Sequence, residues 1–177
     1  MNSEIKIVDN FLNEEEHKIF GQNAPKCLWK LQKSLAGNKD TSDMSKELPF
    51  LYSVLTNNDF FNSHLFDKVV EQLDGDNYTL ERVYLNGQWN GREGNLHKDG
   101  CDFTALIYMT CGYEYGWGGF TEIMTEPEPT LIHPIPNRLV IFPGNISHKA
   151  YSFAYQDCPL RVTLAFKINV DHNEGWI

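Results

Sequence analysis

The stretch "GNLHKDG", Gly94 to Gly100, sets an imidazole and a carboxylate two positions apart in a chain with six histidines. In an extended segment side chains alternate faces, so His97 and Asp99 would point one way and Lys98 the other. Such a pair fits three chemistries: a hydrogen bond at a solvated strand end, an acid–base couple, or two ligands of a metal ion. A metal needs a further ligand from elsewhere in the chain. His17 and His64 have polar neighbours in segments of helical pattern, and His172 lies in the charged tail "DHNEGW". His133 alternates with Leu131 and Ile135, but the flanking prolines suggest an edge or a turn. His148 follows the apolar run "RLVIFPG" and the turn "GNIS", and it opens "HKAYSF". A side chain there can project into a barrel mouth while the chain is held on both sides.

Thirteen residues beyond His148, Arg161 heads the otherwise apolar run "RVTLAF". A guanidinium is costly to bury unless it meets an anion. Thr163 shares its face of the strand and can donate a second hydrogen bond to that anion.

These side chains need a scaffold, and the pattern of the chain describes one. "IKIVDNF" reads as a short strand, and "NEEEHKIF" as a helix with Asn13 as N-cap and Glu14, Glu15 and Glu16 at the positive end of its dipole. "CLWKLQ" is strand-like, and the polar stretch 33–47 predicts a long loop. "LPFLYSVL" and "FFNSHLFDKVVEQL" both show apolar spacing near the helical period. From Tyr78 onward the runs are β-rich and punctuated by Gly, Pro, Asn and Asp at about the 8–12-residue spacing of a sandwich or barrel. The expected fold is mainly β with flanking helices: one domain over 1–177, with helical support over about 1–75 and a jelly-roll β core over about 76–170. Inward side chains of such a core converge at its open mouth.

Composition limits the partners. The chain has 177 residues, 41% hydrophobic and 22% charged, which suits one globular domain. A net charge of −9 makes nucleic acid an unexpected partner. No apolar run approaches the ~20 residues that cross a bilayer. Cys27, Cys101, Cys111 and Cys158 have no C-x-x-C spacing, and nothing near Met1 reads as a signal peptide, so reduced thiols in the cytoplasm are expected.

Taken in order, H-x-D, a distant His, and Arg with a hydroxyl residue two positions later resemble the 2-oxoglutarate- and Fe(II)-dependent oxygenases. The prolyl 4-hydroxylase-like branch is the nearest in pattern. Tyr84 in "RVYLNGQ", Tyr108 in "TALIYMT" and the segment "WGGFTEIM" fall where that family would have them. The likeness covers roughly 78–167 in detail. It implies a double-stranded β-helix and an Fe(II) held by His97, Asp99 and His148, with positions left open for 2-oxoglutarate and O₂. It further implies that Arg161 clamps the far carboxylate of 2-oxoglutarate, a task suited to a bidentate and always charged group. Thr163 and the Tyr84 hydroxyl would complete the anion's shell, and Tyr108 and Thr104 would line the same pocket. The implied reaction hydroxylates a C–H bond, most readily a peptidyl proline, with release of succinate and CO₂. Ascorbate is a candidate reductant, and a peptide or protein the candidate partner. The resemblance also makes 33–47 a lid over the substrate. Nucleic-acid demethylases of the same superfamily carry a second arginine six residues after the first, where this chain has Lys167. The rival from a different class is a jelly-roll binding module whose His and Asp do no chemistry.

Overall fold

The computed structural model describes residues 5–23, 29–32, 50–75, 77–110 and 112–171. The expected lid at 33–47 lies outside them, as do His172, Cys27 and Cys111. Among the described residues ten strands and two α-helices follow in the order β1 (Lys6–Val8), α1 (Glu14–Asn23), β2 (Lys30–Gln32), β3 (Phe50–Val54), α2 (Leu65–Val70), β4 (Tyr78–Gln88), β5 (Phe103–Tyr108), β6 (Thr121–Ile123), β7 (Thr130–Ile132), β8 (Leu139–Pro143), β9 (His148–Ala150) and β10 (Arg161–Val170). A π-helical turn, Phe60–His64, runs into α2.

Seven strands form one antiparallel sheet in the order β1-β8-β5-β10-β4-β3-β2, and β7-β6-β9 form a second. The two sheets enclose a core of Tyr84, Leu106, Tyr108, Val140, Phe142 and Ala165 from the large sheet, with Ile123 and Ile132 from the small one. This is the jelly-roll core. The outer face of the large sheet is covered by the helices, with Val83, Leu85, Ala105, Ile107, Leu164 and Phe166 packed against Phe20, Phe61, Leu65 and Val69. Strands β5, β8 and β10 are therefore buried on both faces. That is why they read as continuous apolar runs rather than as an alternation.

The helix start is built as the sequence implies. Asn13 Oδ1 accepts from the Glu16 N–H at 2.9 Å and Glu16 Oε2 accepts from the Asn13 N–H at 2.8 Å, a reciprocal capping box. Glu16 is buried, and it also meets Lys68 Nζ at 2.5 Å and His64 Nε2 at 3.0 Å, which ties α1 to the α2 region. "LPFLYSVL" departs from expectation. Its helical spacing yields to strand pairing: Leu51 to Val54 lie in register with Gly87 to Tyr84 of β4. The free edge of β4 is a stronger local partner than a short isolated helical turn. The first 75 residues thus supply three strands of the large sheet as well as helical cover.

Candidate active site

His97 and Asp99 do not lie on a regular strand. The segment that carries them is strapped to the small sheet and the β8–β9 turn by backbone hydrogen bonds. Gly94 N–H donates to Ala150 O at 2.9 Å, and Asp99 N–H to Gly144 O at 2.8 Å. Between these, His97 and His148 exchange both backbone hydrogen bonds, at 3.0 and 2.8 Å. The two imidazoles are thereby fixed as direct cross-strand neighbours, with ring centroids 4.4 Å apart. The alternation of an isolated strand does not set this pairing; the partner segment at His148 does.

Each ring is oriented in the same way. His97 Nδ1 lies 2.8 Å from Asn95 O, and His148 Nδ1 lies 3.0 Å from Ile146 O. A carbonyl can only accept, so Nδ1 carries the proton and Nε2 is left with its lone pair. Both Nε2 atoms face Asp99: His97 Nε2 is 3.9 Å from Oδ1 and His148 Nε2 is 3.3 Å from Oδ2. The ligand atoms of the three residues all lie within 4.8 Å of one another, and no other such His/Cys/Asp/Glu group forms among the described residues. Two neutral imidazole nitrogens and one carboxylate oxygen suit a non-haem Fe(II).

The electrostatics of His97 and Asp99 agree with this arrangement. Burial, with His148 beside it, lowers the His97 pKa and keeps the ring neutral. Burial works against ionisation of Asp99, but the neighbouring His148 and the Lys167 ammonium outweigh it and hold the carboxyl far below its ordinary range. Thr104 Oγ1 donates to Asp99 Oδ2 at 2.6 Å, and Lys167 Nζ contacts that same oxygen.

The rest of the expected set divides between two places. Thr104 donates to Asp99 and lies away from Arg161 along the sheet. The reason is register, since Thr104 pairs with Lys167 at the metal-site end of β10. Tyr84 is buried beside them, its ring 5.9 Å from Lys167 Nζ, and burial raises its pKa. Arg161 and Thr163 lie on the same face at the other end of β10, and both are buried. Arg161 Nε donates to Gly119 O at 2.7 Å, Nη1 to Gln88 Oε1 at 3.0 Å and Nη2 to Thr121 Oγ1 at 2.9 Å. Tyr108 donates to Thr121 Oγ1 at 2.7 Å, and its ring lies 5.4 Å from the guanidinium. Burial lowers the Arg161 pKa, and no carboxylate among the described residues opposes it.

Three of the five guanidinium N–H groups are used by these bonds, which leaves two for a ligand. Asn86, in register with Thr163 and on the same inward row as Tyr84 and Gln88, has a buried side-chain oxygen without a hydrogen-bond partner among the described residues. Turned over, that amide would offer N–H to an anion. Thr121 sits two residues along β6 from Ile123, the residue paired with His148, so the arginine head and the His–Asp–His group occupy neighbouring positions in one barrel.

Sequence reasoning missed Lys167, Thr121, Gln88, Asn86 and Gly119. Lys167 had a readable signal: Arg161, Thr163, Ala165 and Lys167 alternate on one face of β10, with apolar residues between. Gly119 had a weaker one. Its φ is +74°, and a Cβ there would lie 2.5 Å from the Phe153 ring, so only glycine leaves its carbonyl free to receive Arg161. His133 lies outside the site and accepts from the Tyr113 hydroxyl at 2.9 Å or donates to it, according to tautomer. Trp117 packs edge-on against Phe153 and Tyr113.

No protein-family model matches the chain, and no curated protein matches its sequence. Solved structures do match. A 2OG-Fe(II) oxygenase family oxidoreductase from Burkholderia pseudomallei superposes with a TM-score of 0.73 at 9% identity, over 93% of this chain and 84% of that one. A Trichoplax adhaerens prolyl hydroxylase, solved with a hypoxia inducible factor peptide fragment, gives 0.71 at 15% identity over 96% and 84%. A Pseudomonas putida prolyl-4-hydroxylase gives 0.64 at 11% identity over 94% and 93%. At these identities the likeness is one of fold: the chain has the jelly-roll fold of 2-oxoglutarate/Fe(II) oxygenases, including prolyl hydroxylases.

Proposed function

We propose that residues 1–177 form one Fe(II)- and 2-oxoglutarate-dependent oxygenase domain that hydroxylates a C–H bond, with a peptidyl proline as its preferred acceptor. One observation carries the reading. Two imidazoles and a carboxylate converge within 4.8 Å inside the barrel that also buries Arg161 with no counter-charge among the described residues. A barrel built only for packing has no use for an uncompensated guanidinium.

In this reading His97, Asp99 and His148 hold the metal through Nε2, a carboxylate oxygen and Nε2. Iron with 2-oxoglutarate supplies the activation of O₂, the co-substrate leaving as succinate and CO₂ while one oxygen atom reaches the acceptor. Arg161 binds the far carboxylate with its two remaining N–H groups, and Thr163 and Asn86 stand beside it as further donors. Tyr108 and Thr121 fix the guanidinium from its other side. Tyr84 walls the space between the two ends of β10 and keeps water from it. The peptide acceptor is supported by the fold shared with prolyl hydroxylases and by the sequence pattern. Free thiols at Cys101 and Cys158 are the ground for proposing a cytoplasmic protein; among the described residues no helix is long and apolar enough to cross a membrane.

The test is anaerobic loading with Fe(II) and 2-oxoglutarate, then O₂, with and without proline-containing peptides. Succinate release together with a peptide mass gain of one oxygen is expected. Succinate without peptide oxidation would keep the oxygenase and remove the peptidyl acceptor. A protein that binds neither iron nor 2-oxoglutarate would be the binding module, with Asp99 serving only Lys167.

A further inference from the structure

Lys167 is absent from the set that the sequence suggests for the chemistry, yet it is the most confined cation near the triad, with 2% of its surface exposed. Its ammonium reaches Asp99 Oδ2 and lies 3.2 Å from Thr104 Oγ1, which itself donates to the same Oδ2 at 2.6 Å. Two donors, one of them charged, are thus fixed on one oxygen of the carboxylate. Oδ1 carries neither and faces His97 Nε2 at 3.9 Å, whereas Oδ2, already holding both donors, is the oxygen 3.3 Å from His148 Nε2. The position of Lys167 is set by the sheet. It pairs with Thr104 on β5 and Arg82 on β4, and a register shift follows immediately between Lys167 and Ile168. The strand therefore delivers the side chain inward at the level of Asp99 and no further.

We infer that Lys167, with Thr104, is a positioning residue that reserves Oδ2 of Asp99, so that the carboxylate offers a metal Oδ1 alone. A carboxylate free to turn can give a metal both oxygens, and the second would take a position that the co-substrate's two donor atoms require. Lys167 in this reading governs the room left for 2-oxoglutarate more than the hold on the metal. The ammonium even repels a nearby dication, so its removal should not weaken metal binding.

This inference rests on the oxygenase reading, and the experiment separates the two. Co(II) replaces Fe(II) under anaerobic conditions in wild type, K167M, K167R and T104V. Co(II) affinity, the Co(II) visible spectrum before 2-oxoglutarate is added, and 2-oxoglutarate affinity of the Co(II)-loaded protein are measured. In K167M the Co(II) affinity should be unchanged or tighter, the spectrum should shift before any co-substrate is present, and the 2-oxoglutarate Kd should rise about tenfold or more. K167R should recover part of both changes, and T104V should move them in the same direction by less. If K167M fails to fold, T104V decides alone. A spectrum and 2-oxoglutarate Kd equal to wild type overturn the inference and leave the oxygenase reading intact. So does a weaker 2-oxoglutarate Kd with an unaltered spectrum, because Lys167 would then touch the co-substrate directly. Wild type that binds no Co(II) sinks the functional reading itself.

Discussion

Arg161 and Lys167 sit on the same face of one strand, six residues apart, and both are buried at 1–2% exposure, yet their surroundings are opposite. Lys167 has a carboxylate in contact. Burial works against its charge, but Tyr84 and Asp99 outweigh that, and its pKa is raised. Arg161 has neutral acceptors and an aromatic ring, and burial lowers its pKa. One cation is satisfied within the chain and holds a neighbour in place. The other is dry, hydrogen-bonded for orientation and without a counter-charge among the described residues, the condition that the proposed anion-binding role requires. Equal burial therefore does not mean equal function, and the counter-charge is the discriminating feature.

The largest expected effect lies at the triad that both cations flank. His148→Ala should weaken metal binding by more than ~100-fold while the circular dichroism of the fold is retained. His133→Ala, outside the site, should leave metal binding as it is. Iron bound normally by the H148A protein would separate the comparison from any metal.

Next comes Lys167 itself, measured by stability rather than by binding. K167M leaves Asp99 buried beside no cation, so the metal-free protein should lose about 3–5 kcal/mol in denaturant unfolding. Added Co(II) should recover part of that loss by restoring a positive charge. For Arg161 the order of effects reverses. R161M removes an uncompensated charge and should cost the metal-free fold less than K167M does. Its penalty should fall on co-substrate binding, on the order of 2–5 kcal/mol by calorimetry of the metal-loaded protein. Equal stability losses in the two variants would remove the distinction between a paired and a waiting cation.

The smallest effect sharpens the contrast from outside the barrel. Burial raises the Glu16 pKa, but hydrogen bonds from Lys68, from the Asn13 backbone and from His64 outweigh it, and the net shift is downward. A lowered folded-state pKa contributes stability above the unfolded value and loses it as pH falls through the folded one. E16Q should therefore cost about 1 kcal/mol at pH 7, and the difference from wild type should shrink as pH drops below about 4.3. A difference that grows on acidification would contradict the pairing.

Much of this molecule was legible in its residues. The capping pair Asn13 and Glu16, the β-rich character from Tyr78 onward and the apolar runs of β5, β8 and β10 follow from local propensity and burial, which sequence encodes directly. The types of the chemical residues were legible for the same reason, since His, Asp and Arg stand out against apolar strands. Other features depended on partners far along the chain. The pattern of "LPFLYSVL" suits a helix, and only the open edge of β4 makes it a strand. Nothing near His97 announces that its backbone will pair with His148, fifty-one residues later, and so bring the two rings together. Thr104 was expected beside an anion and stands on Asp99 instead, because the β5–β10 register sets it opposite Lys167. Spacing along a strand reports which face a side chain takes, whereas its counter-charge comes from another strand. The sequence could therefore mark both Arg161 and Lys167 as unusual, and only the tertiary structure could make Lys167 a partner of Asp99 and leave Arg161 without a carboxylate among the described residues.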